Sequence, residues 1–176
     1  MDQISRREYA RRVMSNPTDY YIWTTHLADF VSREGLSIRY FADTDTLFFH
    51  IAESTGFGET VAPDLWVMYG RDREVSSVTI DHAAKMLGPY LFPDDEHIGK
   101  SNLFSQGQDM AITYAPETDT LRLQTGEPPY TGYTEKTVAP GLCVNFDPEG
   151  WAMGVVIERA AELLRPYLLA ESAGVA

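Results

Sequence analysis

The tetrapeptide Thr44-Asp45-Thr46-Leu47 occurs twice in this chain, because residues 118–121 repeat it without a change. An Ile-x-Tyr triplet precedes both copies at an offset of 74 residues, and a Val-Ala-Pro triplet follows both at an offset of 77. The offset of 77 then holds for further identical residues, which in the first copy are Leu65, Val67, Val78, Ile80, Ala83, Ala84, Leu87, Pro89, Tyr90 and Leu91. So many ordered identities at one spacing indicate an internal duplication.

Each copy predicts the same order of secondary-structure elements. In the first copy, alternating apolar residues predict strands over 37–42, 46–52, 64–69 and 74–80, with a Gly-rich loop after the second, and a helix over 81–88. The second copy predicts strands over 111–115, 120–125, 141–146 and 151–157 and a helix over 158–170. We therefore expect an α+β fold of two tandem ββββα units, each an antiparallel meander with one helix, related as a pseudo-two-fold dimer.

The remaining segments predict an N-terminal extension and a linker. Residues 1–35 lie outside the duplication, and they predict one helix over 6–14 and a second over 18–34 whose apolar residues form one stripe. Residues 92–110 contain Pro93 and three consecutive acidic residues, which is typical of a linker. The predicted domains are the extension at 1–35, the first unit at 36–91, the linker at 92–110 and the second unit at 111–170.

Composition excludes several classes of function. The 26 acidic and 14 basic residues give a net charge of −12, which argues against direct nucleic-acid binding because phosphate contacts need Lys and Arg. A single Cys excludes an internal disulfide and a multi-Cys zinc site. The N-terminus has no apolar leader and no apolar run approaches 18 residues, so we expect neither secretion nor a membrane partner. These features predict a cytoplasmic protein.

A longer motif in the second copy resembles a known family. It runs through Tyr114-x-Pro116-Glu117-x-Asp119-x-Leu121 and then Pro140-Gly141-x-x-Val144-x-Phe146-Asp147-x-x-Gly150-x-x-x-Gly154-Val155-x-Ile157-Glu158-x-Ala160. This pattern resembles a family of small, uncharacterised bacterial proteins built on a domain of unknown function, over about 111–168 and more faintly over 38–91. The resemblance implies the fold and an association with small toxin-like proteins, as an antitoxin or inhibitor would have, and it implies no site residues. The first copy departs from the motif at Asp64 and at residues 69–73.

Strand alternation places one face of each predicted sheet against its helix and leaves the other face outward. The outward positions in the first unit are Arg39, Phe41, Phe48, His50, Trp66, Met68, Val75, Ser77 and Thr79. The equivalent positions in the second unit are Thr113, Ala115, Arg122, Gln124, Cys143, Asn145, Ala152, Gly154 and Val156. The first set contains large apolar side chains that soluble monomers rarely leave in water, so we expect this face to be covered.

Two explanations of the covered face remain open. In the first, the apolar stripe of the helix at 18–34 lies on the first sheet. In the second, the two outward faces enclose a small-molecule pocket, in which His50 is the general acid or base. The ligand-binding residues of that pocket are Arg39, Phe48, Trp66, Met68, Arg122, Gln124, Cys143 and Asn145.

No cofactor or metal is predicted. His26, His82 and His97 lack metal-ligand spacing, and Asp43 and Asp45 fit a turn better than a calcium loop. The sequence has no Gly-rich loop for phosphate. We therefore favour a non-enzymatic acidic interaction protein with a protein partner, which the charge predicts to be basic. The alternative is a small cofactor-free enzyme or small-molecule binder around His50 and Trp66.

Overall fold

The computed structural model describes residues 35–94, 110–126 and 132–169. These residues form two five-stranded antiparallel sheets, each followed by a helix. The first unit contains β1 (Ser37–Phe41), β2 (Thr46–His50), β3 (Phe57–Ala62), β4 (Leu65–Tyr69), β5 (Val75–Ile80) and α1 (Ala83–Leu91). The second contains β6 (Met110–Ala115), β7 (Thr120–Thr125), β8 (Thr134–Ala139), β9 (Leu142–Phe146), β10 (Ala152–Glu158) and α2 (Ala160–Leu168).

The tandem antiparallel units agree with the sequence prediction, but each unit has one strand more than predicted. The expected Gly-rich loop of the first unit contains β3, and the corresponding loop of the second contains β8. Both are edge strands, paired only with β4 and β9, respectively. Edge strands carry charged residues and a weak apolar pattern, as in Thr134–Ala139, and this makes them hard to recognise.

The prediction of a simple meander is wrong. The strand orders are β1-β2-β5-β4-β3 and β6-β7-β10-β9-β8, so the last strand of each unit lies at the centre of its sheet, beside the first hairpin. Bulges displace Val75 and Ala152, which were expected on the outward faces and instead are buried in the core. The predicted N-terminal helices and most of the predicted linker lie outside the described residues.

The repeated tetrapeptide joins the first hairpin of each unit to the start of its helix. Asp45 adopts a left-handed conformation, with φ 54°. Its carbonyl oxygen accepts the N–H of Ala83 at 2.8 Å, Oδ1 accepts that of Ala84 at 2.7 Å, and Oδ2 accepts that of Lys85 at 3.3 Å. The hydroxyl of Tyr40 donates to the same Oδ1 at 2.9 Å. One aspartate thus satisfies three N–H groups that a helix start leaves without partners.

The second unit repeats this arrangement. Asp119 has φ 48°, and it accepts the N–H groups of Ala160, Ala161 and Glu162 at 2.8, 2.7 and 3.3 Å. Tyr114 donates to Asp119 at 2.9 Å, and burial together with this hydrogen bond raises the pKa of the Tyr114 phenol. The repeated motif is therefore explained by folding, and the calcium loop that Asp43 and Asp45 could suggest is not needed to account for it.

Replacing Asp119 with alanine should lower the free energy of unfolding by about 2 kcal/mol, because the start of α2 loses its side-chain acceptor. Urea denaturation at pH 7 measures the change. Glu117→Ala is the matched control, since Glu117 lies exposed in the same turn and should change stability by less than about 0.5 kcal/mol. Equal losses in the two variants would contradict the capping role.

The two units share one hydrophobic core. Its fully buried residues come from the central strands and helices of both units, among them Leu47, Phe49, Leu121 and Leu123. Helix α1 contacts α2, and each helix also contacts the first strand of the other unit, β6 or β1. Strand β3 of the first unit contacts β10 of the second. The units are therefore packed together through their helices and through the contact of edge strand β3 with β10.

Candidate functional site

The outward face of the first sheet carries the predicted residues in two rows. Phe48 and Trp66 lie on either side of Thr79 of β5, and Phe48 pairs with Arg39 of β1. In the next row His50 and Met68 lie on either side of Ser77. Those rows place Arg39, Phe48, His50, Trp66 and Met68 on one face, as predicted, and all five side chains are partly buried.

Aromatic contacts dominate this first group. The Phe48 and His50 rings stack with centroids 6.2 Å apart and an angle of 19° between planes. The Arg39 guanidinium lies 4.8 Å from the centroid of the Phe41 ring, a cation–π contact. The indole Nε1 of Trp66 is buried and has no hydrogen-bond partner among the described residues. The face is thus mainly an aromatic surface.

The surroundings of His50 favour the neutral form of its imidazole. Burial lowers the pKa of its imidazole, and the nearby charge of Glu53 offsets part of that effect. A neutral imidazole is what a general base needs, but it is equally what a packed histidine becomes on burial. The catalytic assignment of His50 therefore stays a prediction.

The equivalent face of the second sheet is polar and closed. Asn145 Nδ2 donates to Gln124 Oε1 at 2.8 Å across Gly154, and the two residues are 1% and 6% exposed. The other amide atoms, Gln124 Nε2 and Asn145 Oδ1, are buried without a hydrogen-bond partner in the described part of the chain. Cys143 is 4% exposed, with its sulfur 3.5 Å from Thr137 Oγ1.

Arg122, the last member of the second group, forms an ion pair within its own unit. Its guanidinium donates to Glu135 of the neighbouring edge strand at 3.0 Å, and both side chains are substantially exposed. The structure thus brings the nine predicted site residues together as two groups, one on each sheet. A pocket formed between the groups stays a prediction, and the burial of Gln124, Cys143 and Asn145 leaves little surface for a ligand on that side.

A cleft that the sequence did not suggest lies where β3 and the β4–β5 turn of the first unit meet the β9–β10 turn of the second. It encloses about 500 Å³, and its walls include Phe57 and Tyr69 of the first unit and Phe146 and Trp151 of the second. The Phe57 and Tyr69 rings lie 5.7 Å apart, and Phe57 is 54% exposed. This volume falls within the range of small-molecule sites in proteins, about 300–1,000 Å³.

A buried carboxylate fixes one wall of this cleft. Glu59 of β3 accepts a hydrogen bond from the Tyr69 hydroxyl and another, at 2.8 Å, from the backbone N–H of Ala152 in the second unit. Burial and the bond to Glu59 raise the pKa of the Tyr69 phenol, which therefore stays protonated and donating. Comparison of the two copies indicates this site in the sequence. The residue equivalent to Glu59 in the second copy is Lys136, so the acidic residue occurs in the first copy alone.

In the described part of the chain the other titratable groups form no metal site. His82 Nδ1 lies 3.0 Å from Asp64 Oδ1, and residues 35–94, 110–126 and 132–169 hold no cluster of His, Cys, Asp and Glu fit for a metal ion. No helix in those ranges is long and apolar enough to cross a membrane. His26 and His97 lie outside the described residues.

Comparison of the chain with protein-family models, with curated proteins and with solved structures finds no match in any of the three. The resemblance to a bacterial domain of unknown function therefore stays an expectation. The features that bear on function are the charged surface, the two outward faces and the cleft.

Proposed function

We propose that this chain is a non-enzymatic interaction protein whose acidic surface binds a basic protein partner. The observation that carries this proposal is the acidic end of the two units, by which we mean Asp43, Asp81, Glu117 and Glu158. Asp43 and Glu117 occupy equivalent turn positions, and Asp81 and Glu158 occupy equivalent strand ends. Both copies thus carry acidic residues at the same places although the identities differ.

The cations on the described surface do not offset the excess negative charge of the chain. Lys136, Arg122 and Arg159 form ion pairs with the chain's own Glu74, Glu135 and Glu162. Each pair removes one positive and one negative charge, so the excess of 26 acidic over 14 basic residues stays unbalanced. A surface of one sign steers a partner of the opposite sign during diffusional encounter.

A pseudo-two-fold arrangement of the units belongs to the same proposal. The contacts of α1 with β6 and of α2 with β1 are reciprocal, as are the Glu59–Ala152 and Lys136–Glu74 contacts between edge strands and the opposite units. Two equivalent acidic ends related by an approximate two-fold axis would suit a partner with two basic segments or two copies. The motif resemblance implies an association with small toxin-like proteins, and a basic protein of that kind would suit these acidic ends.

The alternative, an enzyme or small-molecule binder around His50 and Trp66, has weaker support. Its first-unit residues are partly accessible, and the lowered pKa of His50 suits a general base. Its second-unit residues Gln124, Cys143 and Asn145 are nearly inaccessible. The acidic surface is already exposed and needs no rearrangement to bind, so we favour it.

Association with a captured partner should slow steeply with salt. The purified chain is used to capture proteins from its native host, and the on-rate of the main captured protein is followed by stopped flow. Between 50 and 500 mM NaCl we expect a fall of about 10-fold or more, because ions screen the steering field. The triple variant Asp43→Asn, Glu117→Gln, Glu158→Gln should show a slower on-rate at low salt and a weaker salt dependence.

The control removes three negative charges away from the acidic end, as Glu53→Gln, Asp72→Asn, Asp94→Asn, all at exposed positions. It should retain most of the low-salt rate. An on-rate that does not change with salt, or equal loss in the two triple variants, would contradict binding through the acidic end.

A further inference from the structure

The cleft between the units contains two arginines that the described chain leaves without a partner. Six arginines lie in the described residues, and four of them have partners: Arg39 on Phe41, Arg122 on Glu135, Arg159 on Glu162 and Arg165 on Phe92. Arg71 and Arg73 make no ion pair or ring contact within residues 35–94, 110–126 and 132–169, and both line the cleft. In a chain with a net charge of −12, two arginines at one place that form no ion pair with any described residue are unexpected.

Arg73 also occupies a backbone conformation that disfavours it. Its φ is 60°, in the left-handed region where a Cβ is strained and glycine is preferred. The equivalent residue of the second unit is Gly150, with φ 86°, so the same turn is made there with the residue that fits it. The other non-glycine residues with positive φ fall into two equivalent pairs, Asp45 with Asp119 and His82 with Arg159. Arg73 is thus the one non-glycine residue with positive φ, among the described residues, whose counterpart in the other copy is a glycine.

The turn of the first unit thus keeps a strained arginine where the turn of the second unit has glycine. This difference indicates that the Arg73 side chain, and not the turn itself, has a role there. Arg71 and Arg73 line the same cleft as Phe57, which is 54% exposed, and Trp151 of the second unit. Guanidinium groups bind carboxylates in a bidentate fashion, and flat aromatic side chains stack on flat ligands.

We propose that this cleft is a binding site for a small aromatic carboxylate. The carboxylate of the ligand binds Arg71 and Arg73, and its ring lies among Phe57, Phe146 and Trp151. The volume of about 500 Å³ accommodates a one- or two-ring molecule. This site is separate from the acidic end proposed to bind protein, and neither proposal depends on the other.

Two carboxylates also line the cleft and must be accounted for. Glu59 is buried and engaged by the Tyr69 hydroxyl and the Ala152 N–H, so two donors offset its charge. Glu149 lies exposed in the turn that carries Gly150 and repels an anion. Neutralising Glu149 should therefore strengthen binding of the ligand, whereas neutralising an exposed glutamate far from the cleft should not.

Isothermal titration calorimetry of the full chain with indole-3-acetate, benzoate and 1-naphthoate tests the proposal. We expect at least one of these carboxylates to bind, and the neutral amide of the best one to bind at least 10-fold more weakly. Arg73→Gly should weaken binding at least 10-fold while raising the Tm by about 2–4 °C, because it restores the residue that the turn prefers. A loss of affinity in a more stable protein cannot come from misfolding.

Further variants separate the cleft from general charge effects. Glu149→Gln should tighten binding about 3-fold or more, and Arg165→Gln, which removes a cation that contacts Phe92, should leave the affinity unchanged. Failure of all three carboxylates to bind at millimolar concentration would overturn the proposal. Equal affinity of the native chain and Arg73→Gly, or equal weakening by Arg165→Gln, would overturn it as well.

Discussion

Replacing Glu59 with alanine is expected to lower the free energy of unfolding by about 2–4 kcal/mol, which is among the largest effects of any single substitution in this chain. The carboxylate is 9% exposed and accepts hydrogen bonds from the Tyr69 hydroxyl and from the N–H of Ala152. The alanine variant leaves both donors without that acceptor in a buried place. Because one donor belongs to the second unit, the variant also weakens the contact between the units.

The duplication supplies a control for this prediction at the equivalent position. Lys136 also connects its edge strand to the opposite unit, through Glu74, but the two side chains are 50% and 64% exposed. An exposed ion pair contributes little, so Lys136→Ala should cost less than about 0.5 kcal/mol. Glu59→Gln keeps an oxygen acceptor for Ala152 and should recover part of the loss. Urea denaturation at pH 7 compares the three variants, and similar values for Glu59→Ala and Lys136→Ala would show that burial of the bridge does not matter.

The inner strands of each sheet could be predicted from the sequence, whereas the edge strands β3 and β8 could not. The duplication could be found from ordered identities, and strands such as Leu65–Tyr69 alternate cleanly because one face is buried. The pattern in Thr134–Ala139 is weak, because an edge strand pairs on one side and keeps charged residues on its surface. The sequence therefore predicted four strands in each unit where the structure has five.

The insertion of β5 and β10 at the centre of each sheet could not be deduced from periodicity. Alternation tells which residues share a face, but it does not tell which strand lies beside which. The repeated aspartates could be placed in a turn, yet their bonds to a helix start 39 residues or more along the chain depend on the tertiary fold. Their repetition was visible in the sequence, whereas its cause was visible only in the structure.

The candidate sites could likewise be predicted only in part from the sequence. Strand alternation correctly grouped Phe48, His50 and Trp66 on one face, because neighbouring strands in register align such residues. It could not foresee the burial of Gln124 and Asn145, nor a cleft formed by turns of two different units. The comparison of Arg73 with Gly150 was available from the sequence, but it acquires meaning only with the positive φ of that position.

Gly154 lies at the centre of the second sheet, and replacing it with alanine should destabilise the protein by about 3 kcal/mol. A Cβ built on Gly154 would stand 2.3 Å from the carbonyl oxygen of Leu123 and 2.6 Å from Gln124 Oε1. The first of these neighbours is backbone of the paired strand β7, so relief requires the strands to move apart. In an uncrowded strand the same substitution would stabilise by roughly 0.5–1 kcal/mol, because glycine loses more conformational entropy on folding. The crowding around Gly154 therefore predicts that the alanine destabilises the protein instead of stabilising it.

The equivalent residue of the first unit, Ser77, provides the comparison, since it is 3% exposed and already carries a side chain in the same register. Ser77→Ala removes only a hydroxyl and should change stability by less than about 1 kcal/mol. The double variant Gly154→Ala, Gln124→Ala tests which neighbour matters. The double variant removes the Gln124 side chain and leaves the Leu123 carbonyl in place. After the cost of Gln124→Ala alone is subtracted, we expect it to recover less than half of the free energy of unfolding that Gly154→Ala loses. Denaturant unfolding of the native chain and the four variants measures these differences, and a Gly154→Ala variant as stable as the native chain would contradict the close approach of β7 and β10.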